Sequence, residues 1–282
     1  MRWIILVACL PLASCVTHEG RVGAPVPAVK TAYTVRRDIT YTPKGWTEAL
    51  QGDLYRPVLG EPAPAVLLLH YGGWTGPDHR QRMAPIARRL AERGYVVFNV
   101  TYRKAPKWIH PAQVEDLHQA LGWMRRHAKE NGIDATRLAT YGYSAGGHLA
   151  ALMGLMKHPH DEHLQAIVSG GNPADLTMSE GGGLVADFLG GRKSQMPKRY
   201  VEASPVYHVT PDSPPVFIYH GAADWFVPTE HARRFAAALE KNHVPHELYW
   251  LEGRDHFTAF LIPGRVHEEA IDFLDRVLRK KR

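Results

Sequence analysis

"LATYGYSAGGHLAALMG", residues 138–154, changes periodicity within a few residues. Leu138, Ala139, Thr140 and Tyr141 form the short apolar run of a buried strand, whereas Leu149, Ala150, Leu152, Met153 and Met156 recur at helical spacing. Between them stands Gly142-Tyr143-Ser144-Ala145-Gly146-Gly147, with glycines flanking one serine on both sides. A serine forced into a sharp strand-to-helix turn occupies unfavourable backbone geometry, and its neighbours must be small for strand and helix to approach. Such a turn exposes a hydroxyl at a helix N-terminus, where backbone N–H groups and the helix dipole favour developing negative charge. G-x-S-x-G between a strand and a helix is the signature of a serine nucleophile. A glycine-rich connector is the competing reading of these residues alone.

On either side the chain alternates strands and helices. "AVLLLH" (65–70), "YVVFNV" (95–100), "RLATYG" (137–142), "QAIVSG" (165–170), "VFIYHG" (216–221) and "HELYWL" (246–251) are predicted as buried strands. Continuous apolar runs between turn signals fit a parallel sheet covered on both faces. Helical patterns fill 80–93, 112–131, 146–157, 229–242 and 265–280. Upstream, "YTVRRDITY" (33–41) and "TEALQGDLYRP" (47–57) alternate as an antiparallel hairpin at the sheet edge. The expected fold class is α/β, a mostly parallel central sheet with helices on both faces. Counting the hairpin, "QAIVSG" is the sixth strand, and from Gly170 to about Pro215 the rhythm breaks into glycines and prolines. So long an irregular excursion in a compact domain is usually functional, and a lid-like insertion over the carboxyl ends of the strands is expected.

The N-terminus suggests a compartment. Arg2 supplies positive charge, Trp3 to Leu12 is apolar but too short to span a bilayer, and Ala13-Ser14-Cys15 follows. Leu12-Ala13-Ser14-Cys15 resembles the lipobox of bacterial lipoproteins, which implies a signal peptide over 1–14 and lipidation of Cys15. A plain secretory signal cut near Ser14 and a short buried helix compete with it. Val16 is not the aspartate of inner-membrane retention, so outer-membrane sorting is expected, with the protein held at the membrane by its lipid. Residues 15–32, rich in Pro, Gly and Ala, read as a flexible tether, and 33–282 as one catalytic-size domain. The two cysteines, Cys9 and Cys15, both fall outside that domain, which excludes disulfides and zinc–thiolate chemistry there. The formal charge is +6, partly from Arg279-Lys280-Lys281-Arg282. With no aromatic–basic interleaving, nucleic acid is not an expected partner; cations at a helix end also suit the dipole.

A serine hydroxyl needs a base, and the base needs a carboxylate to hold its tautomer. On this architecture they follow in the order Ser, Asp or Glu, His, each after a strand. Asp224 lies in the turn after "VFIYHG", and His256 lies five residues past Leu251, after the last strand. Asp175, Asp187 and Asp212, and His246 and His267, fit less well. Oxyanion donors are expected from Ala145 and from the loop His70-Tyr71-Gly72-Gly73-Trp74, whose glycines let main chain approach a bound carbonyl. His70, His148 and His220 read as structural, Asp116 as a fixed polar contact, and Trp74, Trp108 and Trp225 as candidate pocket walls, with core packing an equal alternative for Trp108. "HPHDEH" (158–163) reads as a solvated turn rather than a metal site.

Together these segments resemble the α/β-hydrolases of esterase/lipase type, near the hormone-sensitive-lipase-like and acetyl-xylan/feruloyl-esterase-like groups. "HYGGW" (70–74) resembles their HGGGW loop, and "NVTYRKAPKWIHPAQVEDLHQALGWM" (99–124) their Tyr-Arg-x-Ala-Pro segment. "FLGG", "EASPVYHV", "HGAADWFVP" and "DHF" match further stretches, over roughly residues 45 to 280. The resemblance implies Ser144 as nucleophile, Asp224 as orienting acid, His256 as base, and Gly72, Gly73 and Ala145 as oxyanion donors. It implies a small-molecule ester as substrate and no metal or other cofactor. Tyr71 departs from the family's first loop glycine and Thr101 from its aspartate. A ring at Tyr71, beside the expected acyl group, suggests short-chain or aryl acids. An amide hydrolase, or a non-catalytic binder on the same fold, is the alternative.

Overall fold

The computed structural model describes residues 17–156 and 163–279. Its strands are β1 (Thr17–Glu19), β2 (Tyr33–Thr40), β3 (Gln51–Pro57), β4 (Ala63–Leu69), β5 (Val96–Val100), β6 (Ile133–Tyr143), β7 (Ala166–Gly170), β8 (Val216–Gly221) and β9 (His246–Leu251). They form one sheet in the order β1-β9-β8-β7-β6-β4-β5-β3-β2. From β5 across to β9 the neighbours are parallel. At the two ends β2 and β3 add antiparallel to β5, and β1 adds antiparallel to β9. This is the expected α/β sheet, with the expected hairpin at one edge.

Side-chain alternation explains why the central strands read as unbroken apolar runs. Along β4, Ala65, Leu67 and Leu69 enter one core with Phe98, Leu121 and Leu149, while Val66 and Leu68 enter the opposite core with Met83, Leu90 and Phe273. Both faces of the strand are dry, so neither position tolerates a polar residue. The covering helices are α1 (Arg80–Glu92), α2 (Ala112–Arg126), α3 (Ala128–Asn131), α4 (Ala145–Leu155), α5 (Gly183–Leu189), α6 (Pro197–Glu202), α7 (Glu230–Lys241), α8 (His256–Leu261) and α9 (Val266–Leu278). The amphipathic ones bury one stripe, as α7 does with Ala232, Phe235 and Leu239. By contrast α4 is buried nearly all round, because it lies under the insertion as well as on the sheet.

Three differences from the sequence reading matter. The helix expected over 112–131 divides at His127 into α2 and α3, and Gly132 in the left-handed region ends it. The 15–32 tether is a correction: from Thr17 it is bound to the body. Thr17 pairs with Trp250, Val22 N–H donates to Glu247 Oε1 at 2.8 Å, and Thr31 N–H donates to Glu92 O at 2.8 Å. A buried cluster of Glu247, Arg276 and His18 fixes it. The third is α8, a short helix outside the helical patterns expected from the sequence; Asp255 and Thr258 cap its start reciprocally.

Between β7 and β8 lies the irregular excursion, built from single 3₁₀ turns at Leu176–Met178 and Pro205–Tyr207 and the short helices α5 and α6. The leader, Cys15, and all of "HPHDEH" except His163 lie outside the described residues.

Candidate active site

At the carboxyl end of β6 a single residue, Ser144, separates the strand from helix α4. Ser144 has φ 54° and ψ −122°, a strained combination for a residue with a side chain. Its N–H donates to Gly170 O at 2.7 Å and its carbonyl accepts from His148 N–H at 2.9 Å, so strand and helix fix it from both sides. The glycines exist for space. A Cβ on Gly142 would lie 2.1 Å from Gly146 O, and one on Gly146 would lie 2.3 Å from Leu69 O. Neither obstacle is a side chain that could swing away.

Three strands then deliver three side chains to one line. His256 Nε2 lies 2.8 Å from Ser144 Oγ, and His256 Nδ1 lies 2.7 Å from Asp224 Oδ2. Asp224 is itself held, because its Oδ1 accepts from Phe226 N–H at 3.0 Å and Val227 N–H at 2.8 Å. Since a carboxylate only accepts, His256 carries its proton on Nδ1 and presents a lone pair to the serine hydroxyl. All three groups are buried, with Ser144 at 8% exposure opening to a cavity. The other candidates stand apart. Asp175 accepts from Thr177 and pairs with Arg234. His267 Nδ1 lies 2.7 Å from Tyr141 Oη, and His246 Nδ1 bonds to Val244 O.

After β4 the loop enters the left-handed region three times, at Gly72 (φ 129°), Gly73 (φ 60°) and Trp74 (φ 64°). Positive φ at a tryptophan costs of the order of 1–3 kcal/mol and persists only where the surroundings over-determine it. Here they do. Trp74 stacks on Phe188 with centroids 4.5 Å apart, and its Nε1–H donates to His148 Nδ1 at 3.3 Å. His148 Nε2–H donates to Ala203 O at 2.7 Å. Burial pushes His148 down to about 3, so it stays neutral and can accept from Trp74. His148 is thus a tie between the loop, the serine helix and the insertion, more than the packing residue the sequence suggested.

A second tie was missing from the sequence reading altogether. Lys104 Nζ lies 2.8 Å from His70 Nε2 and 3.5 Å from the Tyr102 ring centroid. On the other side of the imidazole, His70 Nδ1 lies 2.6 Å from Tyr71 O. A carbonyl accepts only, so His70 carries its proton on Nδ1 and Lys104 supplies the donor for Nε2. Burial, with the nearby Lys104 charge, holds His70 well below the usual imidazole range. Burial also pushes Lys104 down to about 7, against the raising effect of Asp78, Asp116 and Glu48. The segment bearing Lys104 is fixed by Asp116, which accepts from Trp46 Nε1–H at 2.8 Å and from Arg103 N–H at 2.9 Å.

Two largely apolar cavities meet at Ser144. One, of about 430 Å³, is bounded by Trp74, Ala145, Leu176, Met178, Val185 and His231. The other, of about 330 Å³, is bounded by Tyr71, Gly72, Tyr143, His256, Phe257 and Leu261. Gly73, Leu184 and Phe226 border both. Tyr71, expected beside the acyl group, stands on the His256 side, stacked on His79. Of the three candidate tryptophans, Trp74 walls one of these two cavities and the other two border neither. Trp108 donates to Glu48 and lies under Arg103, and Trp225 is 70% exposed at the rim.

A family model described as BD-FAE matches residues 53–239. Esterase LipQ of Mycobacterium tuberculosis is 33% identical over 244 residues, which cover 79% of this chain and 57% of LipQ. The chain spans about half the length of the curated relatives it matches. Among solved structures, a truncated carbohydrate esterase from gut microbiota superposes with TM-score 0.79 at 20% identity, covering 92% of this chain and all of the other; that likeness concerns the fold. A propionate-bound thermophilic esterase of Thermogutta terrifontis superposes with TM-score 0.72 at 26% identity, covering 90% of this chain and 97% of the other. An open, mostly parallel sheet, the serine turn at its centre and a family match over most of its length lead to one conclusion: the chain belongs to the BD-FAE family, among the α/β-hydrolase esterases and lipases.

Proposed function

We propose that this protein hydrolyses carboxylic esters through an acyl-enzyme, with Ser144 as nucleophile, His256 as base and Asp224 as the group that orients it. One observation carries the reading: the continuous hydrogen-bonded chain from Ser144 Oγ through His256 to Asp224, at 2.8 and 2.7 Å. Ser144 Oγ attacks the ester carbon as its proton passes to His256 Nε2. The carbonyl oxygen becomes an oxyanion, received by the N–H groups of Ala145, Gly72 and Gly73, where each fixed donor is worth about 10²–10³ in rate. The imidazolium then returns its proton to the leaving alkoxide, and water repeats the sequence to free the acid.

The leaving oxygen must lie within reach of His256, so the alcohol occupies the cavity that His256 lines. The acyl group occupies the other, between Trp74 and the insertion. Short-chain or aryl acids are the expected occupants of that cavity, which has Trp74, Met178 and Val185 among its walls, and propionate is what the related Thermogutta esterase holds. A fluorophosphonate probe tests the whole reading. Covalent labelling at Ser144, abolished in Ser144→Ala, is expected; folded protein that remains unlabelled would leave only a binding role.

The same proposal places the protein on a membrane, exported by residues 1–14 and lipidated at Cys15, in the outer membrane by the Val16 rule. Its support is the lipobox-like Leu12–Cys15 run. Metabolic incorporation of a fatty-acid analogue, lost in Cys15→Ser, is the expected result; equal labelling of both forms would refute it.

A further inference from the structure

The pairing of β1 decides where a lipid on Cys15 would sit. Cys15 precedes Thr17 by two residues, and two residues of extended chain span at most about 7 Å. Thr17 is paired with Trp250, the penultimate residue of β9. The segment cannot swing away from there. His18 Nε2 bonds to Glu247 Oε2 at 2.8 Å, Val22 N–H donates to Glu247 Oε1 at 2.8 Å, and Arg276 Nε–H donates to Val22 O at 2.8 Å. The anchor therefore leaves the body at the carboxyl end of the sheet, on its β9 edge. That is the end at which β8 and β9 deliver Asp224 and His256.

The same end carries an exposed apolar patch. Trp225 is 70% exposed, Leu261 69%, Ile262 52%, Phe257 51% and Phe226 43%. They belong to two adjoining segments, the turn after β8 and the helix α8 with Ile262, the residue that ends it. Trp225 and Phe257 have ring centroids 6.2 Å apart, and Phe226 and Phe257 5.6 Å apart. α8 buries His256 and Ala259 and turns Phe257 and Leu261 outward, an amphipathic arrangement with its apolar side facing solvent. Contiguous exposed apolar surface of this kind marks an interaction site. Phe226, Phe257 and Leu261 also border the cavity that contains His256, so the patch is the rim of that cavity.

We propose that the bilayer carrying the anchor covers this patch, so that the His256 cavity opens directly onto the membrane surface. A lipid anchor alone leaves a globular domain free to rotate; a second, apolar contact fixes its orientation. Tryptophan at the rim suits the head-group boundary, where one side of the ring is apolar and the other wet. The substrate class follows. Esters reaching the site are amphiphiles partitioned in the bilayer, entering with the alcohol part toward the rim. This inference rests on lipidation of Cys15 and on the esterase reading.

The test uses the full chain, produced with its leader and reconstituted in phosphatidylcholine vesicles whose acyl chains carry bromine. Bromine quenches tryptophan fluorescence only at close range, and the difference between wild type and Trp225→Phe isolates the Trp225 signal. Strong quenching of that signal is expected. In Trp225→Ser/Ile262→Ser, neither residue lining the cavity, hydrolysis of a water-soluble acetate ester is expected to hold within about two-fold, while that of a vesicle-borne ester falls roughly ten-fold. Anchored, fatty-acid-labelled protein whose Trp225 is unquenched would overturn the proposal, including the case where a second copy covers the patch. Protein without label on Cys15 would overturn the anchor and the proposal with it. Fluorophosphonate labelling of Ser144 reports separately on the esterase reading.

Discussion

Asp224→Asn separates the geometry of the site from its charge. The carboxylate is held in one rotamer because Oδ1 accepts from two backbone N–H groups, of Phe226 at 3.0 Å and Val227 at 2.8 Å. An asparagine must put its oxygen there, since an NH₂ group would face two donors. Its nitrogen then takes the place of Oδ2, 2.7 Å from His256 Nδ1, and donates to it. His256 is forced into the Nε2–H tautomer and no longer offers a lone pair to Ser144. In a protease with the same triad logic this change costs about 10⁴ in kcat. The same loss here corresponds to about 5.5 kcal/mol of barrier. The second amide hydrogen points toward His220 Nε2, which lies 3.4 Å from Oδ2 and already donates to Val227 O. That donor-to-donor contact costs about 1–2 kcal/mol of stability, well short of unfolding. The assay is kcat/KM on nitrophenyl acetate beside a thermal melt and the ¹⁵N shifts of the His256 ring. A variant within ten-fold of wild type, or one whose His256 keeps its proton on Nδ1, would show that another carboxylate sets the tautomer.

Ser144→Ala is expected to abolish turnover with the fold intact, and Ser144→Gly to be more stable than Ser144→Ala by about 1 kcal/mol in denaturant unfolding, because only glycine relaxes at φ 54°; equal stability would mean that the turn stores no strain. Lys104→Met should lower kcat roughly ten-fold with little change in KM, since Tyr71 C=O and Gly72 N–H share one rigid peptide plane and a released Tyr71 carbonyl frees an oxyanion donor. The ¹⁵N shifts of His70 should report a mixed tautomer in that variant, and an unchanged kcat despite a changed tautomer would refute the link. On acid, burial holds His148 and His267 down to about 3 and His110 and His231 to about 4. The unfolded chain takes up these protons from about pH 6.5 downward while the folded one does not, so stability is intact above that pH. It should fall through the window from 6.5 to 3 by up to about 1.4 kcal/mol per pH unit for each histidine. A melting temperature constant from pH 7 to 4.5 would contradict this. In a nitrophenyl-ester series activity should peak between acetyl and roughly hexanoyl, as each methylene left in water forfeits about 0.8 kcal/mol; a maximum at palmitoyl would show that the acyl cavity continues as a tunnel.

What was legible in the sequence is what local chemistry controls. The run 216–221 and the run 246–251 are bounded as strands by their own turn residues, and β8 and β9 occupy those same residues. Gly142 and Gly146 announce a close approach because nothing larger fits between one backbone and another. Once Ser144 is placed on such a turn, the chain order restricts its partners to residues after later strands, where Asp224 and His256 stand in one bonded line. α8 was legible in principle, since Asp255 and Thr258 have capping spacing, but six residues give too short a period to register. The rest depends on partners distant in the sequence. Nothing near Thr17–Glu19 marks a strand; Glu247, 229 positions from His18, makes it one by needing donors for a carboxylate buried to 0% exposure. Lys104 is a similar case. A lysine is seldom expected to turn inward, and this half-buried one is held there by an imidazole whose other nitrogen is committed to Tyr71 O. Buried polar groups are costly unless satisfied, and their satisfaction is settled by whichever distant segment brings the complementary atom. Periodicity carries the layers of this fold, but the ties that hold the oxyanion loop and the N-terminal strand are solutions to hydrogen-bond deficits that arise only after those layers have packed.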